Sequence, residues 1–353
     1  MSQPLEHYRL LGRSGLRVSK MSLGTMTFGV GAGWGCSDDE AERVVNRYID
    51  CGGNFVDTAN FYGNGGSETV IGNLIKGRRE QLVVATKYSL TMRRGDPNAS
   101  GNHRKNMVQS VESSLRRLQT DFIDLLYLHV WDDRTPVDEI LRAFDDLVRS
   151  GKVLYIGISD TPAWQASRMQ VMAELRGWSP LVALQIPYSL AERTVERELL
   201  PMAREMGMGV LPWSPLAGGI LAGKYDESDL ESSVGGGGLD TRKAINLATG
   251  RLTSRTLAIA AQVSEVAQEL DCQPAQVALA WTLLNPAVTS TIIGVRTLAQ
   301  LEDNLGALDV KLTDGQVRRL DEASRIDPGF PHDLLGSPVA HEMFGAVDIE
   351  PRR

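Results

Sequence analysis

Ile123-Asp124-Leu125-Leu126-Tyr127-Leu128-His129, then a helical pattern from Pro136 to Gly151, then Val153-Leu154-Tyr155-Ile156-Gly157-Ile158-Ser159: this stretch decides the fold. Two short apolar runs flank a segment whose apolar residues recur every three to four positions, which predicts a strand–helix–strand unit. The helix opens acidic, closes basic and stops at a glycine, as the backbone dipole and a left-handed C-terminal residue favour. Two strands joined through a helix pair in parallel.

The same alternation extends both ways. Upstream, strands are expected at Met21–Met26, Asn54–Ala59 and Leu82–Lys87. The intervening helices fall at 38–51 (capped by Ser37, with Asp38, Asp39 and Glu40 in its first turn), 67–76 (capped by Ser67) and 105–119. Downstream come a helix at 162–176, a strand at Leu181–Pro187, a helix at 195–206 ended by Gly207 and a strand at Gly209–Ser214. Helices at 254–270 and 274–285, a strand at Val288–Val295 and helices at 297–308 and 314–326 complete the chain. Eight strands alternating with helices predict an α/β fold of the (β/α)8 type, a TIM barrel. A doubly wound sheet is the rival, and the count of eight without an internal linker favours the barrel. Residues 1–353 are expected to form a single domain. Within it, 8–20 should be a β-hairpin closing the barrel bottom, 217–252 a flexible loop or lid containing Gly235–Gly238, and 327–353 a segment over the mouth or frayed.

Composition narrows the function. Lys plus Arg number 37 against 44 Asp plus Glu, a formal charge of −7, so no net-basic field recruits nucleic acid. No apolar run reaches the roughly 18 residues of a membrane helix, and the N-terminus lacks the order of a signal peptide. Cys36, Cys51 and Cys272 are odd in number and scattered, which fits a reducing, cytoplasmic setting better than a disulfide scaffold. The five histidines form no HxH or HExxH pair, so no metal site is expected. Nor is there a GxGxxG fingerprint. Gly218 to Lys224 fits GxxxxGK, but Tyr225 stands where a phosphate-binding loop needs Ser or Thr.

Barrel chemistry sits at the carboxyl ends of the strands. There the sequence places Asp57, Lys87 and His129 at the second, third and fourth strands, with Tyr62 five residues beyond Asp57. Each alone is more often a salt bridge or a cap. Four compatible groups at three successive strand ends point instead to proton transfer at an alcohol or carbonyl oxygen. Asp57 can pair with Lys87, a protonated lysine lowers the proton affinity of a nearby phenol, and His129 can hydrogen-bond a substrate oxygen. In the other half, Trp213 offers a flat face for a heteroaromatic ring, and its bland alternative is core packing. Arg296, beside exposed N–H groups where Thr297 opens a helix, suggests an anion site, with Gln300 and Asn304 on one face of that helix.

These residues resemble the aldo-keto reductase superfamily from about Tyr8 to Ile326. Gly53-Asn54-Phe55-Val56-Asp57-Thr58-Ala59-Asn60-Phe61-Tyr62-Gly63 carries the most diagnostic likeness. Leu128 to Asp132 and Gly101 to Lys105 look closer to the aryl-alcohol-dehydrogenase-like branch. The resemblance implies a barrel that binds NADPH without a Rossmann domain and exchanges hydride with an aldehyde, ketone or alcohol. It implies Tyr62 as acid and base, Lys87 and Asp57 tuning it, and His129 orienting the carbonyl. Gly24, Thr25 and Met26 would border the cofactor. Trp213 would stack on the nicotinamide, with Ser159, Asp160 and Gln185 at its carboxamide. Ser214, Leu216, Gly218 and Lys224 would meet the pyrophosphate, and Gly294, Arg296, Gln300 and Asn304 the phosphorylated adenosine. Trp34, Tyr62, Tyr88, His129 and Trp131 would line the pocket for a small-molecule carbonyl. Asp160 departs from the family's usual asparagine, and a carboxylate cannot donate as an amide can. The alternative is a catalytically weak, NADPH-binding regulatory barrel resembling channel β-subunits.

Overall fold

The computed structural model describes residues 4–29, 35–230 and 241–347. Two antiparallel strands, β1 (Tyr8–Leu10) and β2 (Arg17–Ser19), precede the alternation. The barrel strands are β3 (Met21–Gly24), β4 (Phe55–Asp57), β5 (Val83–Tyr88), β6 (Ile123–Leu128), β7 (Val153–Ser159), β8 (Leu181–Pro187), β9 (Gly209–Trp213) and β10 (Thr291–Gly294). All eight pair in parallel in the order β10-β3-β4-β5-β6-β7-β8-β9, and a bridge between Val210 and Val288 closes the ring. This is the expected (β/α)8 barrel.

Helices wrap the outside: α1 (Asp38–Asp50), α2 (Gly66–Leu74), α3 (Arg104–Leu118), α4 (Val137–Arg149), α5 (Ala163–Arg176), α6 (Leu199–Met206), α7 (Arg242–Ala248), α8 (Ser254–Glu269), α9 (Pro274–Leu284), α10 (Leu298–Leu305) and α11 (Asp314–Ala323). Two short helices, α12 (His332–Leu335) and α13 (Pro338–Met343), follow. In α4, Val137, Ile140, Leu141, Phe144 and Leu147 are buried at helical spacing, so one stripe lies on the sheet and the charged face stays in water. Ser37 caps α1 by accepting from the Glu40 N–H. Among the described residues no helix is long and apolar enough to cross a membrane.

The hairpin plugs the amino-terminal end of the barrel. Leu11 and Val18 are fully buried with Phe55, Val83, Leu125, Tyr127, Val182 and Leu211, the inward side chains of the strands. Gly12 has φ +54°, and a Cβ there would meet the Val182 carbonyl oxygen at 2.3 Å. Only glycine lets the turn come this close to the strands.

Two local expectations change. Ser67 does not cap α2: the helix starts at Gly66 after Gly65 at φ +93°. Ser67 is instead buried, donating to the Thr25 carbonyl at 2.8 Å and sharing a hydrogen bond with Thr58 Oγ1 at 2.9 Å. The expected helix at 195–206 is split into a 3-10 turn (Thr194–Glu196) and α6. Pro201 has no N–H, and its ring would strike the Arg197 carbonyl in a continuous helix. The described parts of 217–252 hold a 3-10 segment at Ala217–Ala222, a 3-10 turn at Glu227–Asp229, and α7. Gly235–Gly238 lie outside the described residues.

Candidate active site

Strand alternation sorts the side chains at the carboxyl end of the ring. Lys87 points inward and the next residue, Tyr88, outward. Lys87 is 0% exposed, and its ammonium donates three bonds: to Asp57 Oδ2 at 2.6 Å, to the Thr58 carbonyl at 2.8 Å and to the Tyr62 hydroxyl at 3.2 Å. Its three protons therefore have three acceptors. Burial works against the Lys87 charge, but Asp57 and Tyr62 outweigh it and hold the ammonium above its ordinary proton affinity. The other Asp57 oxygen, Oδ1, accepts from Gln185 Nε2 at 2.7 Å.

Tyr62 sits in the 3-10 turn Tyr62–Gly65 just before α2. Glu68, fully buried in the first turn of α2, ties that turn down. It accepts from Thr86 Oγ1 at 2.5 Å and pairs with Arg117 at 2.6 Å. Thr86 precedes Lys87, so one carboxylate links the segment bearing Tyr62 to the strand bearing Lys87. The net direction at Tyr62 differs from the sequence expectation. Burial raises its pKa more than Lys87 lowers it, with Asp57 and Asp160 adding to the rise, so the phenol stays protonated above its usual range.

His129 completes the group. Its ring meets Tyr62 edge-on, with centroids 5.8 Å apart. Burial first, then the Lys87 charge, lowers its pKa to about 3. The ring is neutral at working pH, and its Nδ1 is buried without a protein partner. A neutral imidazole, a phenol and a buried ammonium converge on one spot. The arrangement can hydrogen-bond an oxygen from two sides and move one proton to or from it.

Around this centre the other expected residues divide. Gly24, at the end of β3, is in register with both Asp57 and Gly294. Thr25 is buried and donates to the Asp57 carbonyl from its N–H and from Oγ1, each at 3.0 Å, so its side chain is committed to joining two strand ends. Met26 is 36% exposed at the rim. Ser159 ends β7 in register with Gln185. Tyr88 is not in the group: it lies outside the barrel, edge-on to Phe144, with its hydroxyl on the Asn102 carbonyl. Trp131 is half-buried, its N–H on the Asp160 carbonyl. Trp34 lies outside the described residues.

Asp160 stands at φ +41°, a conformation that Asn and Asp tolerate better than most residues. The backbone thus admits an Asp at this position as readily as an Asn. Its Oδ1 accepts from Trp213 Nε1 at 3.1 Å, which fixes the indole edge. Arg251 lies over the Trp213 ring, 5.2 Å from the centroid. Beside it opens a cavity of about 440 Å³ bounded by Tyr188, Ser214, Arg251 and Thr253. Ser214 adopts φ +50°, and Leu216 is half-buried before the glycine turn. Gly218 has φ +68°, with Asn246 of α7 donating to its carbonyl at 3.1 Å. Lys224 is exposed at the end of that turn.

The start of α10 differs from the expectation of free N–H groups. Leu298 N–H donates to Glu40 Oε1 at 2.6 Å, Arg296 N–H to Gln300 Oε1 at 2.8 Å, and Gln300 N–H to Thr297 Oγ1. A carboxylate already occupies the positive end of this helix. The Arg296 side chain beside it is exposed. Asn304 is buried on the same helix. Arg296 has company that spacing does not reveal. Burial lowers the Arg242 pKa, Tyr225 opposes that shift, and the charges of Arg251 and Arg296 lower it further, so both guanidinium groups act on Arg242. Arg242 opens the short helix α7 and Arg251 lies in the loop after it, within a long connection whose sequence carries no periodicity to mark them. The donor set fits a dinucleotide: a half-buried indole at the centre, a glycine turn with positive φ, and mutually repelling cations that phosphates would relieve. Among the described residues no cluster of His, Cys, Asp and Glu could hold a metal.

Comparison with known proteins agrees with the fold. The model of the Aldo/keto reductase family matches residues 20–325, and the chain belongs to that family. It is 42% identical to the uncharacterized oxidoreductase YrpG of Bacillus subtilis, across 89% of this chain and 95% of that protein. It is 35% identical to an aryl-alcohol dehydrogenase [NADP(+)] of Phanerodontia chrysosporium, across 98% of this chain and 94% of that one. Norsolorinic acid reductase B of Aspergillus parasiticus is 38% identical, over 95% of this chain and 88% of its own length.

Proposed function

We propose that this protein reduces an aldehyde or ketone to the alcohol, and runs the reverse reaction, with NADPH as hydride donor. The observation that carries this reading is the Lys87 ammonium, 0% exposed, shared between Asp57 at 2.6 Å and the Tyr62 hydroxyl at 3.2 Å. A phenol held beside a buried cation can give up a proton to a developing alkoxide and take it back. NADPH supplies the hydride. Tyr62 donates the proton to the carbonyl oxygen, and Lys87 stabilises the phenolate left behind. His129, neutral, donates its single N–H to the same oxygen and fixes the carbonyl's orientation. The indole of Trp213, pinned by Asp160, presents a flat wall for the nicotinamide. Gln185 and Ser159, in register at the ends of β8 and β7, would hold its carboxamide. Arg296, with Arg242 and Arg251, binds phosphate and favours NADPH over NADH.

The test is Tyr62→Phe. It should bind NADPH as the parent does, and lose carbonyl reduction by at least the ~10²–10⁴-fold of a general acid, followed by loss of reduced-nicotinamide absorbance over a panel of aryl and aliphatic aldehydes, keto-sugars and cyclic ketones. Undiminished turnover would remove Tyr62 from the chemistry. Tight NADPH binding with no turnover by the parent on any carbonyl would favour the regulatory barrel.

A further inference from the structure

We propose that Gln185 is a positioning residue for proton transfer: by holding Asp57 from across the barrel, it sets how tightly Tyr62 keeps its proton. The inference rests on the reading of Tyr62 as proton donor and adds a partner that acts on it through two other side chains. Asp57 ends β4 and Gln185 lies in β8, four strands apart in a ring of eight. The bond from Gln185 Nε2 to Asp57 Oδ1, 2.7 Å long, therefore spans the barrel's diameter. It leaves only Oδ2 for Lys87, at 2.6 Å.

The consequence follows from counting protons. Lys87 has three, spent on Asp57, the Thr58 carbonyl and Tyr62, and the Tyr62 contact, at 3.2 Å, is the longest. Without the amide of Gln185, Asp57 has a bare oxygen in a buried site. Its carboxylate turns to share both oxygens with the ammonium, the charged donor already bound at Oδ2. The contact that yields is the longest one, to Tyr62. The groups facing Tyr62 are Lys87 from β5, Asp57 from β4, the neutral His129 ring after β6 and Asp160 after β7. Tyr127 of β6 lies buried near Asp57 and carries no charge. Lys87 is the only cation among them. Losing its contact leaves two carboxylates opposing the phenolate, and the phenol holds its proton more tightly.

Two variants test this. Gln185→Met removes the donor at nearly constant volume. Gln185→Glu places a carboxyl at hydrogen-bonding distance from Asp57, where two carboxylates do not both ionise. It keeps its proton at low pH and donates to Asp57 as the amide does, then loses the contact as pH rises. The direct readout is the phenolate absorbance in the near ultraviolet after a rapid pH jump, each protein against its own Tyr62→Phe counterpart. This needs no turnover. The second readout is the pH profile of alcohol oxidation, which rises as Tyr62 loses its proton. Gln185→Met should move both upward by about one unit, a roughly tenfold loss of phenolate at fixed pH. Gln185→Glu, ionised where the phenol titrates, should move both upward at least as far as Gln185→Met, because it adds a carboxylate as well as losing the donor. The proposal is overturned if the phenolate titration stays in place while oxidation and reduction fall equally at every pH, since Gln185 would then serve only the cofactor or the fold. If the parent turns over no carbonyl, the proposed reaction fails, and the phenolate titration still decides the part played by Gln185.

Discussion

Replacing Lys87 with methionine should destabilise the protein by an amount that depends on pH in a calculable way. The substitution keeps the volume and removes the ammonium. Asp57 is then 2% exposed with Gln185 as its remaining side-chain donor. An unpaired buried carboxylate neutralises itself by taking up a proton. An aspartate in the unfolded chain does so near pH 3.9, so folding at pH 7 demands uptake across about three pH units. At ~1.36 kcal/mol per unit this costs ~4 kcal/mol, within the ~3–5 kcal/mol typical of breaking a buried pair. The sign follows from proton counts: the folded variant binds one more proton than the unfolded chain, so stability falls as pH rises above 3.9. Near pH 4.5 the loss should shrink to ~1 kcal/mol. Urea unfolding at the two pH values measures it as a shift of midpoint. The double substitution Asp57→Asn with Lys87→Met removes both charges, leaves an amide oxygen for Gln185 and should recover most of the stability without recovering turnover. A loss equal at both pH values, or a double variant as unstable as the single one, would refute the account of Lys87 and Asp57 as a buried ion pair.

Further outcomes follow from the same geometry. Because burial keeps the Tyr62 phenol protonated above its ordinary range while His129 is neutral down to about pH 3, carbonyl reduction should be flat from about pH 6 to about pH 9 and fall only above ~10; a limb near 6.5 that His129→Gln abolishes would contradict this. Arg296→Ala should weaken NADPH by ~10–100-fold and leave NADH nearly unchanged, measured as two dissociation constants; equal weakening of both would remove the guanidinium from the 2′-phosphate. Gly218→Ala forces a Cβ to within 2.3 Å of Asn246 Oδ1 at a φ of +68°, and should cost ~1–3 kcal/mol of stability in urea unfolding, with NADPH binding weakened as α7 shifts.

The barrel was legible because burial on both faces gives parallel strands an unbroken apolar run; β7 and β8 fall on the bounds that patterning predicts. Helix ends were less so. The Ser67 hydroxyl could cap a helix or join strands, and only the proximity of Thr25 and Thr58, brought by folding, selects the second. Asp57, Tyr62, Lys87 and His129 were legible because strand ends mark the site. Tyr88 was misplaced for want of one step of alternation: if Lys87 points in, Tyr88 points out. The anion site at α10 was read from its own turn alone. Glu40, 258 residues earlier in the chain, fills it, and no local pattern carries such a distant partner. The same holds for Arg251 over Trp213 and for Gln185 against Asp57.

That last bond also bears on when, during synthesis, the protein can become competent. Asp57 and Gln185 are 128 residues apart. A nascent chain that has emerged through β7 already holds Asp57, Tyr62, Lys87 and His129, yet has nothing to occupy the second carboxylate oxygen. Until β8 arrives, the ionised pair faces an open sheet edge and the water beyond it. Fragments truncated before β8 would carry Asp57, Tyr62, Lys87 and His129 and still lack the Gln185 amide that holds the second carboxylate oxygen.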